Sequence, residues 1–197
     1  MTWVKVCGLS RPEEVEAAVT AGADAIGFVF YEASPRNVSP ALARSLGEPA
    51  GVMTVAVTVD LDADSLLHLA DLAGVRAVQP HGVHAAIAAA AAVEAGLAVL
   101  RPLPVDGPVD LSGVSGDELP LLDSDSIGGT GRVFDWSWLE GLDRPFVLAG
   151  GLGPDNVAGA IERVSPWGVD ASSRLESTPG VKDLSKVAAF VKRAKAI

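Results

Sequence analysis

The sequence predicts an α/β fold with a single domain, a compact (β/α)8 barrel over residues 1–197. Eight short apolar runs alternate with stretches of helical periodicity, and most of the runs are apolar on both faces, as strands of a helix-covered parallel sheet are. Eight is also the number of such units that closes into a barrel, although the fold typically takes about 250 residues. An open doubly wound sheet is the alternative. The first strand–helix turn, Cys7-Gly8-Leu9-Ser10, argues against it because it lacks a Gly-x-Gly-x-x-Gly fingerprint.

In the first strand Val4 and Val6 alternate with Lys5 and Cys7, so Lys5 and Cys7 share one face. Ser10-Arg11-Pro12-Glu13 reads as a capping box, followed by the stripe Val15, Ala18, Val19 and Gly22. Residues 25–31 form a second strand, and Ser39-Pro40 caps a short helix running to Leu46. A valine-rich third strand covers 51–59, and a helix over 62–73 turns Leu66, Leu69, Ala70 and Ala73 inward. The fourth strand is 77–82, its helix 83–95 ends at Gly96, and the fifth strand is 98–105. Residues 106–116 hold four glycines or prolines without periodicity, which predicts a shortened or missing fifth helix. Strand six (118–123) is followed by a short helix at 135–142, and strand seven (145–151) by a helix from Pro154 to Val164. Strand eight (168–173) precedes a last helix capped by Asp183, with Val187, Phe190, Val191 and Ala194 facing the core.

Composition bounds the function. At 49% hydrophobic, 197 residues bury a full core. A net charge of −10 argues against nucleic acid and gives an anionic substrate no long-range steering. One cysteine cannot build a disulfide framework and fits a reducing, cytoplasmic setting. No apolar run reaches membrane length, so no membrane partner is expected. Oligomeric state stays open between monomer and homodimer.

In a barrel of this kind chemistry sits at the carboxyl ends of the strands. Those positions hold Cys7, Tyr31 with Arg36, Asp60, His81, Arg101, Asp123, Gly150-Gly151 and Ser172-Ser173. Backbone N–H groups of tight loops after strands seven and eight form the recurring phosphate site of the fold, and Gly150-Gly151 and Ser172-Ser173 stand there. Asp123 closes a buried strand, where a desolvated carboxyl holds a proton near neutrality; Asp125 is a nearby competitor. Gly128-Gly129-Thr130-Gly131 lacks the lysine of a P-loop and reads as a substrate-covering loop or a supporting turn. Arg36 offers a bidentate fork for a carboxylate. His81, His84 and the distant His68 make a poor metal site, so neither metal nor cofactor is expected. The tryptophans read as packing, and a lone cysteine is by itself most often a small buried hydrophobe. Lys5, inward beside Cys7, is expected to pair with Asp170, since an unpaired buried ammonium is costly.

With these residues assembled, the chain resembles the phosphoribosylanthranilate isomerase family of tryptophan biosynthesis from end to end. The resemblance rests on Lys5-Val6-Cys7-Gly8-Leu9-Ser10-Arg11-Pro12, on the second-strand run from Gly22 to Phe30, and on Ser34-Pro35-Arg36-Asn37-Val38-Ser39. It continues through Gln79-Pro80-His81-Gly82, Leu122-Asp123, Gly128-Gly129-Thr130-Gly131, Phe134-Asp135-Trp136, Leu148-Ala149-Gly150-Gly151-Leu152 and Pro154-Asp155-Asn156-Val157. It ends with Gly168-Val169-Asp170, Ser172-Ser173, Glu176 and Pro179-Gly180-Val181-Lys182-Asp183. The resemblance implies an Amadori rearrangement of an aminoaldose phosphosugar, with Cys7 as general base and Asp123 as general acid. It further implies that Arg36 holds the anthranilate carboxylate, that the glycine and serine pairs hold the phosphate, and that His81 lies in the substrate site.

The chain departs from the family pattern at Pro80, at Val83-His84-Ala85, and at Arg174, where a glycine is usual. Arg174 either blocks the phosphate or adds charge to its site; the second is favoured here. Two alternatives stand beside this reading. A histidine-pathway or dual-substrate isomerase looks for an aspartate where Cys7 stands, and a non-catalytic phosphate-binding barrel does not need both Cys7 and Asp123.

Overall fold

The computed structural model describes residues 1–124 and 133–197. Eight parallel strands close in sequence order: β1 (Trp3–Cys7), β2 (Ala25–Phe30), β3 (Met53–Val59), β4 (Ala77–His81), β5 (Ala98–Pro104), β6 (Glu118–Asp123), β7 (Val147–Leu148) and β8 (Gly168–Ala171), with β8 pairing back to β1. Among the described residues six helices cover the barrel: α1 (Pro12–Ala21), α2 (Pro40–Gly47), α3 (Ala63–Ala73), α4 (Ala85–Glu94), α5 (Val157–Val164) and α6 (Leu184–Lys195). A small antiparallel hairpin, β9 (Glu176–Thr178) and β10 (Val181–Lys182), follows β8. No helix among the described residues is long and apolar enough to cross a membrane.

Inward and outward residues alternate along each strand, and the interior is layered. Ala25, Val55, Ala77, Leu100, Leu121, Val147 and Ala149 form an apolar layer. Cys7, Val29 and Val57 form a second cluster. The outward set, including Val4, Val6, Ile26, Phe28 and Val169, packs with the helices' inner faces, where Val187, Phe190 and Val191 of α6 are fully buried. At the amino end of the barrel Trp3 stacks on Trp167, ring centroids 5.2 Å apart, which agrees with the packing role expected of the tryptophans.

The fifth helix is missing as expected: residues 105–117 make turns only. Four expectations are corrected. The α1 capping box is not formed. Pro12 forces Arg11 into the extended conformation (φ −135°, ψ 148°), so the helix begins at Pro12, and Glu14 rather than Glu13 accepts from the Ser10 N–H at 2.8 Å. In place of a helix at 135–142 there is a 3-10 turn, Trp136–Leu139, capped by Asp135 on Ser137 N; Gly141 (φ +85°) ends the segment before an α-helical ladder is established. The helix after strand seven starts at Val157, because Asn156 folds back to accept from Gly153 N at 2.8 Å and donate to the Gly151 carbonyl at 3.0 Å. Strand eight ends at Ala171, and Ser173–Leu175 is a 3-10 turn leading into the hairpin. Pro80 is accommodated: the β4–β5 ladder runs only through Ala77↔Ala98 and Val78↔Val99, so it stops before the residue that lacks an N–H.

Candidate active site

The carboxyl ends of the strands enclose a cavity of about 230 Å³. It brings together Cys7 (β1), Arg36 (after β2), His81 (β4), Asp123 (β6), Gly150-Gly151 (after β7) and Ser172-Ser173 (after β8). Asp60 and Arg101 are not among its lining residues, and neither is Arg174. Asp125 and the 128–131 loop lie outside the described residues.

Cys7 is buried, and Gly27 on the adjacent strand makes room for it: a Cβ at residue 27 would stand 2.9 Å from Sγ and 3.2 Å from Lys5 Cε. Lys5, with no exposed surface, donates to Asp170 Oδ2 at 2.9 Å and to Gln79 Oε1 at 2.8 Å. The expected Lys5–Asp170 pair is therefore present. Cys7, on the same face of β1, also acts on the Lys5 ammonium. Burial opposes the charge on Lys5, but Asp170 and Cys7 together outweigh it and hold its pKa above the ordinary lysine value. Burial pushes the Cys7 thiol up, with Lys5 as the leading influence in the other direction. The resting group is thus a thiol with a cation poised to stabilise its thiolate.

Because Gln79 turns its oxygen to the Lys5 ammonium, its NH₂ faces His81 Nε2, 3.1 Å away. An amide NH₂ only donates, so His81 Nε2 accepts and the ring proton is on Nδ1. Asp123 is buried at the end of β6 and accepts from Ser124 Oγ at 3.3 Å. Gly150 (φ +82°) permits this arrangement: a Cβ there would lie 2.6 Å from Ser124 N and 3.0 Å from Asp123 Oδ1.

Arg36 forms a fork with Glu176, Nε to Oε1 at 2.7 Å and Nη2 to Oε2 at 2.9 Å. Two of its five N–H donors are used there. Glu176 also accepts from Lys182 Nζ at 2.8 Å. Arg174 donates to Asp155 Oδ2 at 2.6 Å and to the Gly151 carbonyl at 3.2 Å, so its side chain braces the loop after β7.

Glu176, Lys182, Gln79 and Gly27 are site-building residues to which spacing assigned no role. Pro179-Gly180 is the turn signal from which the hairpin carrying Glu176 and Lys182 could have been read. Nothing local marks Gly27, whose importance depends on a neighbour across the strands.

A closed barrel with a thiol, a carboxyl and an arginine in one cavity at the carboxyl ends of its strands defines the class of (β/α)8-barrel enzymes. Residues 4–193 match the family described as N-(5'-phosphoribosyl)anthranilate (PRA) isomerase. The N-(5'-phosphoribosyl)anthranilate isomerase of Rubrobacter xylanophilus is 42% identical over 205 residues, covering 99% of this chain and 100% of that protein. Among solved structures, phosphoribosyl anthranilate isomerase from Thermus thermophilus superposes with a TM-score of 0.90 at 31% identity, covering 99% of both chains. A phosphoribosyl anthranilate isomerase in complex with reduced 1-(o-carboxyphenylamino)-1-deoxyribulose 5-phosphate gives 0.87 at 34% identity, with both chains covered completely. The chain belongs to the phosphoribosylanthranilate isomerase family.

Proposed function

We propose that this chain carries out its family's aldose–ketose isomerisation, the Amadori rearrangement of N-(5-phosphoribosyl)anthranilate in tryptophan biosynthesis, with Cys7 as base and Asp123 as acid. The observation that carries the reading is that this thiol and this carboxyl line the same cavity at the catalytic end of the barrel. Asp123 protonates the furanose ring oxygen, and the C1′–O bond breaks to leave a Schiff base. Cys7, as thiolate, then removes the C2′ proton, and the electron pair moves to nitrogen to give an enolamine that tautomerises to the aminoketose. Lys5 stabilises the thiolate this step needs.

The three Arg36 donors not used by Glu176 suit the anthranilate carboxylate. Gly150-Gly151 and Ser172-Ser173 supply backbone N–H groups for the phosphate. His81 offers Nδ1–H as a neutral donor beside the sugar. Arg174 supports the phosphate loop through Gly151 and Asp155 rather than lining the cavity. A closed barrel from Trp3 to Ala171 supports one domain over residues 1–197, and the free Cys7 thiol supports a reducing, cytoplasmic setting.

The test is turnover of phosphoribosylanthranilate followed by loss of substrate fluorescence, with Cys7→Ser and Asp123→Asn alongside. Wild type turns over, and removing the acid costs about 10²–10⁴-fold. Absence of turnover by wild type removes the activity; full activity in Cys7→Ser removes the mechanism.

A further inference from the structure

Glu176 is the first residue of β9, and its carboxylate is a junction between two loops of the cavity. It accepts the Arg36 fork, Gly180 N at 3.2 Å and Lys182 Nζ. The Lys182 ammonium, fully buried, donates onward to Ser172 O at 3.1 Å and Ser172 Oγ at 3.2 Å. Arg36, after β2, and Ser172, after β8, thus hang on one carboxylate–ammonium pair. Two glycines show how tightly the parts meet. A Cβ at Gly8 would stand 2.6 Å from Arg36 Cδ and 3.0 Å from Ser172 Oγ, and one at Gly180 would stand 2.3 Å from the Pro35 carbonyl oxygen. The root of the lysine is held too, since Glu14 Oε1 accepts from Lys182 N at 2.9 Å.

We propose that Glu176 and Lys182 are a positioning pair that couples the two recognition ends of the site, holding Arg36 for a carboxylate and the Ser172–Ser173 peptide for a phosphate. This rests on the functional reading above and assigns those residues a shared support. At the phosphate end, the Ser172 carbonyl is held by Lys182 Nζ and by Leu175 N at 3.0 Å. In a trans peptide the following N–H points the opposite way, so the Ser173 N–H is turned from Lys182, and Ser173 lines the cavity. At the carboxylate end, the fork to Glu176 immobilises a long side chain before substrate arrives, which removes an ordering cost from binding. Arg36 and Lys182 set two cationic groups against the Glu176 carboxylate, with the Glu14 carboxylate at the Lys182 backbone. Burial works against both members of the pair. Even so, Arg36 and Lys182 hold the Glu176 carboxyl below its usual range, while Lys182 sits below ordinary lysine despite Glu176.

Two fragments probe the ends separately as competitive inhibitors of turnover: anthranilate for the carboxylate end and ribose 5-phosphate for the other. Glu176→Gln raises both inhibition constants about fivefold or more and KM about tenfold, with kcat within about threefold. Lys182→Met weakens ribose 5-phosphate about fivefold and anthranilate at least about twofold, and it carries the same test if Glu176→Gln lowers the folded fraction. A variant that changes one fragment's inhibition constant alone overturns the coupling, as does a fall in thermal stability with both constants unchanged. Wild-type turnover with unchanged variants rejects the positioning pair and leaves the activity standing, whereas a wild type without turnover rejects both.

Discussion

Lys5 Nζ lies 2.9 Å from Asp170 Oδ2 inside the barrel, with the lysine side chain fully buried and the aspartate nearly so. Removing one member of such a pair costs more than the pair itself contributes, because the other charge is stranded in a medium that solvates it poorly. Its position beside Cys7 gives the pair a second consequence, for catalysis.

Lys5→Met strands the Asp170 carboxylate and is expected to lower stability by about 3–5 kcal/mol. It also removes the principal influence that lowers the Cys7 pKa, while burial and Asp170 continue to raise it. Less thiolate is then present at any given pH, so the ascending limb of the pH–kcat profile moves to higher pH. A limb that stays in place or moves toward acid, measured on the folded fraction, contradicts the assignment of Lys5 as the thiolate's support.

Gly27→Ala places a methyl 2.9 Å from Cys7 Sγ and 3.3 Å from Cys7 Cα, where only the thiol has freedom to yield. Overpacking of this kind costs about 1–3 kcal/mol. Displacing the base by about 1 Å is expected to reduce kcat about 10²-fold. Turnover equal to wild type would show that the base is elsewhere.

The Glu176 carboxyl titrates below its usual value of 4.5, so the unfolded chain takes up its proton first as pH falls. Its contribution to stability is therefore present above about pH 4.5 and is lost as pH drops through the folded-state value. Denaturant midpoints between pH 6 and pH 3 should fall less steeply for Glu176→Gln than for wild type. Identical slopes would mean that the network adds nothing to acid stability.

Arg174→Gly loses a partly exposed ion pair with Asp155 and the brace on the Gly151 carbonyl. An exposed pair contributes about 0.2–1 kcal/mol, which corresponds to a rise in KM of roughly 1.4- to fivefold with kcat nearly unchanged. A selective fall in turnover would place Arg174 in the chemistry instead of in support of the loop.

Much of the cavity was legible in the sequence because barrel chemistry collects at strand ends, and strand ends are marked by where apolar alternation stops. Cys7, Asp123, Gly150-Gly151 and Ser172-Ser173 were placed that way, and all line the cavity. The Lys5–Asp170 pair followed from the cost of an unpaired buried ammonium, an argument that needs no coordinates. Local competition was harder to read. Pro12 overrode the capping box, and Asn156, bonded to Gly151 and Gly153, delayed the start of α5.

Residue order alone determined that eight strands close into a barrel and which side chains stand at its catalytic end. The tertiary structure decided how those side chains are held. Arg36 and Glu176 are 140 positions apart, and a hairpin after β8 brings Glu176 to Arg36 while placing Lys182 beneath Ser172. Such partners depend on where separate loops converge once the sheet has closed. Periodicity and spacing report only the neighbourhood along the chain.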